Sequence, residues 1–375
     1  MSAISKFLKN KANDVSFIEL KKKLGKEADN LNIPGGLPVP ILTDELVKDI
    51  IEERAQEQIS FNSLIKGMLY IIGADPMFVY VDKYKNILLQ IEDQVEKYVL
   101  WLINDLENKN IVEEAIVFSH AYAILFSDKM AAHLNYALCL EHMAQNHMNK
   151  KDINKANIFL KAADEELNIL LDIDETYAPA LYKLGYHAKY NKSFIRAKVF
   201  WDKFLTYNLD EELDIEIKAE LLKINKSVNY EEGCQLVLRG KAEEGLEKLL
   251  PLFEENKSWW NLSFMMGIAY RQLEEYSKAI DSFENALKYE SKNAMILNEL
   301  AISKASLGFN EEAYELFEKA IQIDSTDSGL FSNRAMLNMN LKKYEAARND
   351  LEEALKLNPS DEIALLIKKQ IGNIN

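Results

Sequence analysis

An all-helical fold of stacked helix pairs is the expectation for this sequence, and three observations carry it. Small residues recur in a strict 34-residue register along the second half. Helix breakers are scarce, with 13 Gly and 7 Pro in 375 residues. Leu, Glu, Lys and Ala, all good helix formers, are abundant. Hydrophobic residues make up 48% of the chain, enough for a sizeable core.

The register starts at Gly233 and continues through Gly267, Ala301 and Ala335. Twelve residues on, the series is Gly245, Ala279, Ala313 and Ala347; a third is Leu252, Ala286, Ala320 and Ala354. Large apolar residues keep the same step at Leu249, Phe283, Phe317 and Leu351. Close packing explains the pattern. Two antiparallel helices approach closely only where small residues sit at the crossing, and bulky residues fill the gap toward the next pair.

These residues resemble the tetratricopeptide-repeat (TPR) pattern of small, Ala, aromatic and Ala positions. Tyr270, Tyr276 and Tyr344 fall where that pattern has aromatics, and Pro359 where it ends a helix. Ser263, Leu297 and Phe331 depart from its usual Trp, and Asp324-Ser325 from its usual Asp-Pro. The likeness is closest over Trp260–Asp361. It implies a right-handed α-solenoid of TPR helix pairs with a helical N-terminal cap. Weaker echoes lie upstream at residues 96–129, at Ala137, Ala156, Leu160 and Ala163, and at residues 178–211.

The expected organisation is an N-terminal helix and Pro/Gly linker at 1–40, a helical region at 41–95, and divergent TPR-like repeats plus an extra helix at 96–225. Four in-phase TPR repeats follow at 226–361, then a capping helix at 362–375. The extra helix is placed at Glu212–Asn225. Residues 33–40 (IPGGLPVP) cannot be helical and read as an extended linker. Thr43 reads as an N-cap followed by Asp44 and Glu45, with helices over Phe61–Ile72 and Val81–Ile91. The first 30 residues, with seven Lys against four acidic residues, read as a solvated helix. Glu362–Ile371 reads as a polar cap exposing Lys368, Lys369 and Gln370.

The formal net charge of −15 argues against nucleic-acid binding, which needs a basic face. No apolar run is long enough for a signal peptide or a membrane span. Cys139 and Cys234 stand far apart with no disulfide framework, which points to a reducing, cytoplasmic setting. The excess of Lys over Arg, with abundant Asn and Ile, suggests an A/T-rich bacterial genome. Four of the five histidines lie between His120 and His147, but without metal-ligand spacing, and they read as partly exposed helix positions. There is no nucleophile elbow and no phosphate-binding glycine loop, so no catalytic residue, metal or cofactor is expected.

The TPR resemblance implies a concave wall made by the first helix of each pair. Here that wall carries Asn261, Phe264, Ile268 and Arg271, then Asn298, Glu299 and Ile302, then Ser332, Asn333, Met336 and Asn340. Upstream it carries Tyr182, Lys183, Tyr186, Lys189 and Tyr190, a locally basic stretch suited to an acidic peptide. Asn donates to and accepts from a peptide backbone, and Tyr and Met give adaptable apolar contact. Phe264 and Ile268 stand where chaperone-tail TPR clamps carry Lys and Asn, so that ligand is not expected. The function these residues suggest is a protein- or peptide-binding scaffold or adaptor, of a protein or peptide partner and undetermined oligomeric state. The alternative is a peptide-responsive regulatory switch acting on a partner protein.

Overall fold

The computed structural model describes residues 2–19, 31–51 and 60–372. The chain divides into two compact units, Met1–Ile217 and Lys218–Asn375.

The first unit begins with α1 (Ala3–Lys11), capped by the Ser2 hydroxyl, which accepts the Ser5 amide at 3.1 Å. This helix is exposed over much of its surface, as expected, but one face is docked. Leu8 is buried, and Phe7 meets Phe159 edge-on with ring centres 5.2 Å apart. Two of its lysines pair with acids of the unit, Lys11 with Glu113 and Lys9 with Asp75 at 3.6 Å. Residues 20–30 of the lysine-rich stretch lie outside the described residues.

The expected linker is in part a strand. β1 (Val15–Ile18) and β2 (Val39–Leu42) form an antiparallel ribbon, with Val15 opposite Leu42 and Phe17 opposite Pro40. Their β-branched and apolar residues suit a strand, and Pro40, which has no N–H, is tolerated because neither strand is interior to a sheet. Two tyrosines hold the ribbon. Tyr84 donates to the Pro38 carbonyl at 2.7 Å, and Tyr70 to the Asp14 carboxylate at 2.9 Å. α2 (Thr43–Ile51) starts at Thr43 itself, whose hydroxyl lies 2.9 Å from that of Ser16.

α3 (Phe61–Ala74) is apolar almost all round and buried from Gly67 to Ala74. It touches backbone on two sides. A Cβ on Gly67 would stand 1.9 Å from the Pro40 carbonyl oxygen, and one on Gly73 would stand 1.9 Å from that of Val117. α4 (Val81–Leu88) and a short 3₁₀ turn (Leu89–Ile91) lead to the helix pairs. These are α5 (Glu92–Asn108) with α6 (Val112–Leu125), α7 (Met130–Asn149) with α8 (Ile153–Ile173), and α9 (Ala178–Tyr190) with α10 (Phe194–Tyr207).

α11 (Glu211–Leu238) is a single 28-residue helix, so the extra helix expected at Glu212–Asn225 is the front part of a longer one. No proline interrupts this stretch. Gly240, at φ +78°, supplies the turn that follows it. The second unit continues with α12 (Ala242–Glu255), α13 (Trp260–Gln272), α14 (Tyr276–Tyr289), α15 (Ala294–Ser306), α16 (Asn310–Ile323), α17 (Ser328–Asn340), α18 (Tyr344–Leu357) and α19 (Glu362–Gly372). The register residues behave as their sizes require. Ala279, Ala313, Ala347, Ala286, Ala320 and Ala354 have no exposed surface, and Phe283 and Phe317 are fully buried. A Cβ on Gly267 would meet the Phe283 ring at 2.5 Å. α19 exposes Lys368, Lys369 and Gln370 as expected, but it also exposes Ile363, Leu365 and Leu366, so its outer face is not simply polar.

The turn inside each pair repeats one device. Gly240, Glu274, Gly308 and Lys342 follow one another at steps of 34 with φ between 58° and 86°. Asn110, Lys151 and Lys192 occupy the matching turns of the first unit, with φ between 57° and 60°. The amide after each returns to a carbonyl five residues back, as in Glu275 N–H to Tyr270 O at 2.9 Å and Ser193 N–H to Ala188 O at 2.9 Å. This is the left-handed helix stop that glycine serves best, yet Lys and Glu hold it in several turns at a cost of about 1 kcal/mol each.

Two substitutions therefore have opposite signs. Gly73→Ala forces two backbones apart and lowers stability by about 2 kcal/mol. Glu274→Gly removes left-handed strain and leaves stability unchanged or raised by about 0.5 kcal/mol, net of the greater freedom glycine gives the unfolded chain. Urea denaturation of both variants beside the parent measures the difference, and a neutral Gly73→Ala contradicts the close crossing.

Candidate functional site

In the second unit, the first helix of each pair brings its wall residues together. The Asn333 side-chain amide, on α17, donates to Oδ1 of Asn298 on α15 at 2.9 Å. Asn298 donates to Glu299 at 3.4 Å, and Glu299 lies 2.8 Å from the Arg271 guanidinium on α13. Burial raises the Glu299 carboxyl above the usual range, and Arg271 partly offsets that. The first helices of three successive pairs, α13, α15 and α17, are thus joined by one polar chain whose two charges cancel. Apolar groups flank it: Phe264, which leans on Phe283 with ring centres 5.8 Å apart, and the half-buried Ile268, Ile302 and Met336. Asn261 is half-buried and Asn340 exposed. Ser332 does not belong to this wall. It is fully buried and its hydroxyl donates to the Ser328 carbonyl at 3.1 Å.

In the first unit, the wall on α9 is not the free basic stretch expected. Lys183 is held by Glu141 at 2.6 Å, and the hydroxyls of Tyr182 and Tyr186 both donate to Glu216. Lys189 is half-buried and Tyr190 exposed. Beside these residues lies a pocket of about 460 Å³, which sequence reasoning missed. Leu160 and Ala144 are its buried base, and Leu138, Met148, Tyr186 and Tyr190 its apolar sides. Glu141, His142, Gln145 and His187 complete it. The available signal was the spacing of Lys183, Tyr186, His187 and Tyr190, which places all four along neighbouring faces of one helix.

The family pattern described as Tetratricopeptide repeat matches residues 264–328 and again residues 329–361. Residues 264–361 are tetratricopeptide repeats. Among solved structures, PilF of Pseudomonas aeruginosa is 14% identical over 62% of this chain and 97% of that one, with a TM-score of 0.39. MamA is 18% identical over 49% of this chain and 93% of that one, with a TM-score of 0.37. YrrB, described as a TPR protein with an unusual peptide-binding site, is 16% identical over 66% and 95%, with a TM-score of 0.29. No curated protein matches the chain. No described helix is long and apolar enough to cross a membrane.

Of the four clustered histidines, His120, His142 and His147 are partly exposed helix positions as expected and His133 is buried. Several of the upstream histidines also fasten one helix to another. His133 on α7 lies 2.8 Å from Glu166 on α8 and 3.0 Å from the Ser127 carbonyl. His142 pairs with Glu107 on α5, and His120 on α6 contacts the Gly73 carbonyl on α3 at 2.7 Å. Burial lowers the His120 pKa, opposed by that hydrogen bond. His187, on α9, stands between Asp164 of α8 at 2.6 Å and Glu141 of α7 at 3.2 Å. Burial alone would lower its pKa, but the two carboxylates outweigh burial and hold it at about 8. His187 and Lys183 in turn hold the Glu141 carboxyl below the usual range against its own burial. No group of three or more His, Cys, Asp or Glu able to hold a metal occurs among the described residues.

Because His187 titrates higher folded than unfolded, its contribution is complete below the ordinary pKa of 6.5 and disappears as pH rises through about 8. Between pH 6 and pH 9 the loss is about 2 kcal/mol. Urea denaturation across that range shows it, and His187→Gln removes that part of the slope. An unchanged slope contradicts the His187 bridge.

Proposed function

We propose that this chain is a non-catalytic scaffold or adaptor that binds a protein or peptide along the inner faces of its repeat helices. The observation that carries the proposal is the chain Arg271–Glu299–Asn298–Asn333. It spends the wall's charge on itself and leaves amide groups between apolar side chains. The Asn333 and Asn298 amides keep hydrogen-bonding capacity for a peptide backbone, since a primary amide has two donors and a two-lone-pair acceptor. Phe264, Ile268, Ile302 and Met336 supply contact that adapts to side chains. A net charge of −15 supports a protein partner over nucleic acid. Two free cysteines, one of them buried with its thiol pushed up to about 12, suit a reducing setting such as the bacterial cytoplasm.

The test is capture of partners from a cell lysate by the intact chain and by a variant carrying Asn298→Ala and Asn333→Ala. A partner held by the intact chain is expected to be retained at least tenfold less by the variant, at about 1 kcal/mol for each lost hydrogen bond. Circular dichroism confirms that the variant is folded. Equal retention by both proteins means that binding does not use this wall.

A further inference from the structure

The pocket of the first unit is distinct from the Asn-bearing wall, and its charged groups are already committed. Glu141 holds Lys183 at 2.6 Å and faces His187 at 3.2 Å. Asp164, behind the pocket, takes the other nitrogen of His187 at 2.6 Å. His142 is joined to Glu107, and the Gln145 amide donates to Asn149 at 3.0 Å. An acidic group entering the pocket would meet the Glu141 carboxylate. A basic group would have to displace Lys183 or His187 from it. Either exchange loses a hydrogen-bonded ion pair in a largely buried place.

The surface that remains is apolar. Leu138 and Tyr190 stand at the mouth, 38% and 42% exposed, and the lining passes through Met148 and Tyr186 to Leu160 and Ala144. At about 460 Å³ the cavity falls within the size range of ligand pockets. Aromatic edges and a flexible thioether accommodate apolar groups of different shape.

We infer that this pocket receives an uncharged, bulky apolar side chain, aromatic or branched aliphatic, of a peptide lying on the inner face of the first unit. The inference rests on the inner faces being peptide-binding surfaces and adds to that reading the chemistry of one anchor residue. The charge-balanced group of Lys183, Glu141, His187 and Asp164 fixes the pocket wall and excludes charged anchors.

The experiment uses the full chain with ¹³C-labelled Met and Leu methyl groups, titrated with N-acetyl-tryptophanamide, N-acetyl-leucinamide and N-acetyl-lysinamide. The expected result is saturable shifts of the Met148, Leu138 and Leu160 methyls with the tryptophan and leucine probes, and none with the lysine probe. Leu138→Glu changes an exposed residue, so the chain folds with an unchanged melting temperature, and affinity for the tryptophan probe falls at least tenfold. Shifts that never saturate, equal binding of the lysine probe, or an unaffected Leu138→Glu variant each overturn the inference. Lysate capture through Asn298 and Asn333 is independent of these methyls. Capture without probe binding discards the pocket and keeps the groove. Probe binding without capture discards the peptide, and with it the occupant assigned here.

Discussion

The close crossing of two helices is the constraint on which the rest of this protein depends. Each pair meets where one helix offers Gly or Ala and the other offers a bulky side chain, as at Gly267 against Phe283 and at Gly185 against Trp201. Any Cβ at these glycines would collide with the facing ring, so the pair has little freedom in how far apart its axes lie. A fixed separation repeated at a fixed step gives the next pair a prepared surface. The first helix of each pair is thereby held in the same orientation as the next, and side chains about a repeat apart in sequence come within hydrogen-bonding distance. The link between Asn298 and Asn333 is a product of that spacing.

The two units meet the same constraint by different means. In the second, Ala and Phe pack the crossings, and charged pairs such as Arg334 with Asp350, which also accepts from Asn338, lie beside them. In the first, imidazole–carboxylate pairs also join neighbouring helices, as His133 with Glu166 and His187 with Asp164. Such pairs are directional, and losing one partner strands a buried charge. They position helices firmly, and His187, held at about 8 between Asp164 and Glu141, gives that unit a pH-dependent link.

The inner walls follow from the same economy. Burying a charge beside neighbouring helices is unfavourable unless an opposite charge lies within reach. Arg271 and Glu299 meet this need across a repeat boundary, as do Lys183 and Glu141. The consequence is that these charges serve the architecture, and the surface beside them is amide, hydroxyl and apolar.

The amino-acid sequence by itself determined the repeat, because the step of small residues from Gly233 to Ala354 is a local packing requirement written at fixed spacing. It also indicated which first-helix residues lie near one another, and the link of Asn333 to Asn298 and of Glu299 to Arg271 is what the structure adds to that. It did not disclose the ribbon of Val15–Ile18 with Val39–Leu42, whose partners are separated by a linker with no periodic signal. Nor did it disclose the turns at Lys151, Lys192, Glu274 and Lys342, where the left-handed conformation is imposed by the helices on either side and not by the residue. The roles of Lys183, His187 and Ser332 were decided only by tertiary structure. Whether a lysine is free or paired, and whether a serine faces a groove or a core, depends on residues such as Glu141 that lie tens of positions away. That information resides in how helices pack, which no single helix carries.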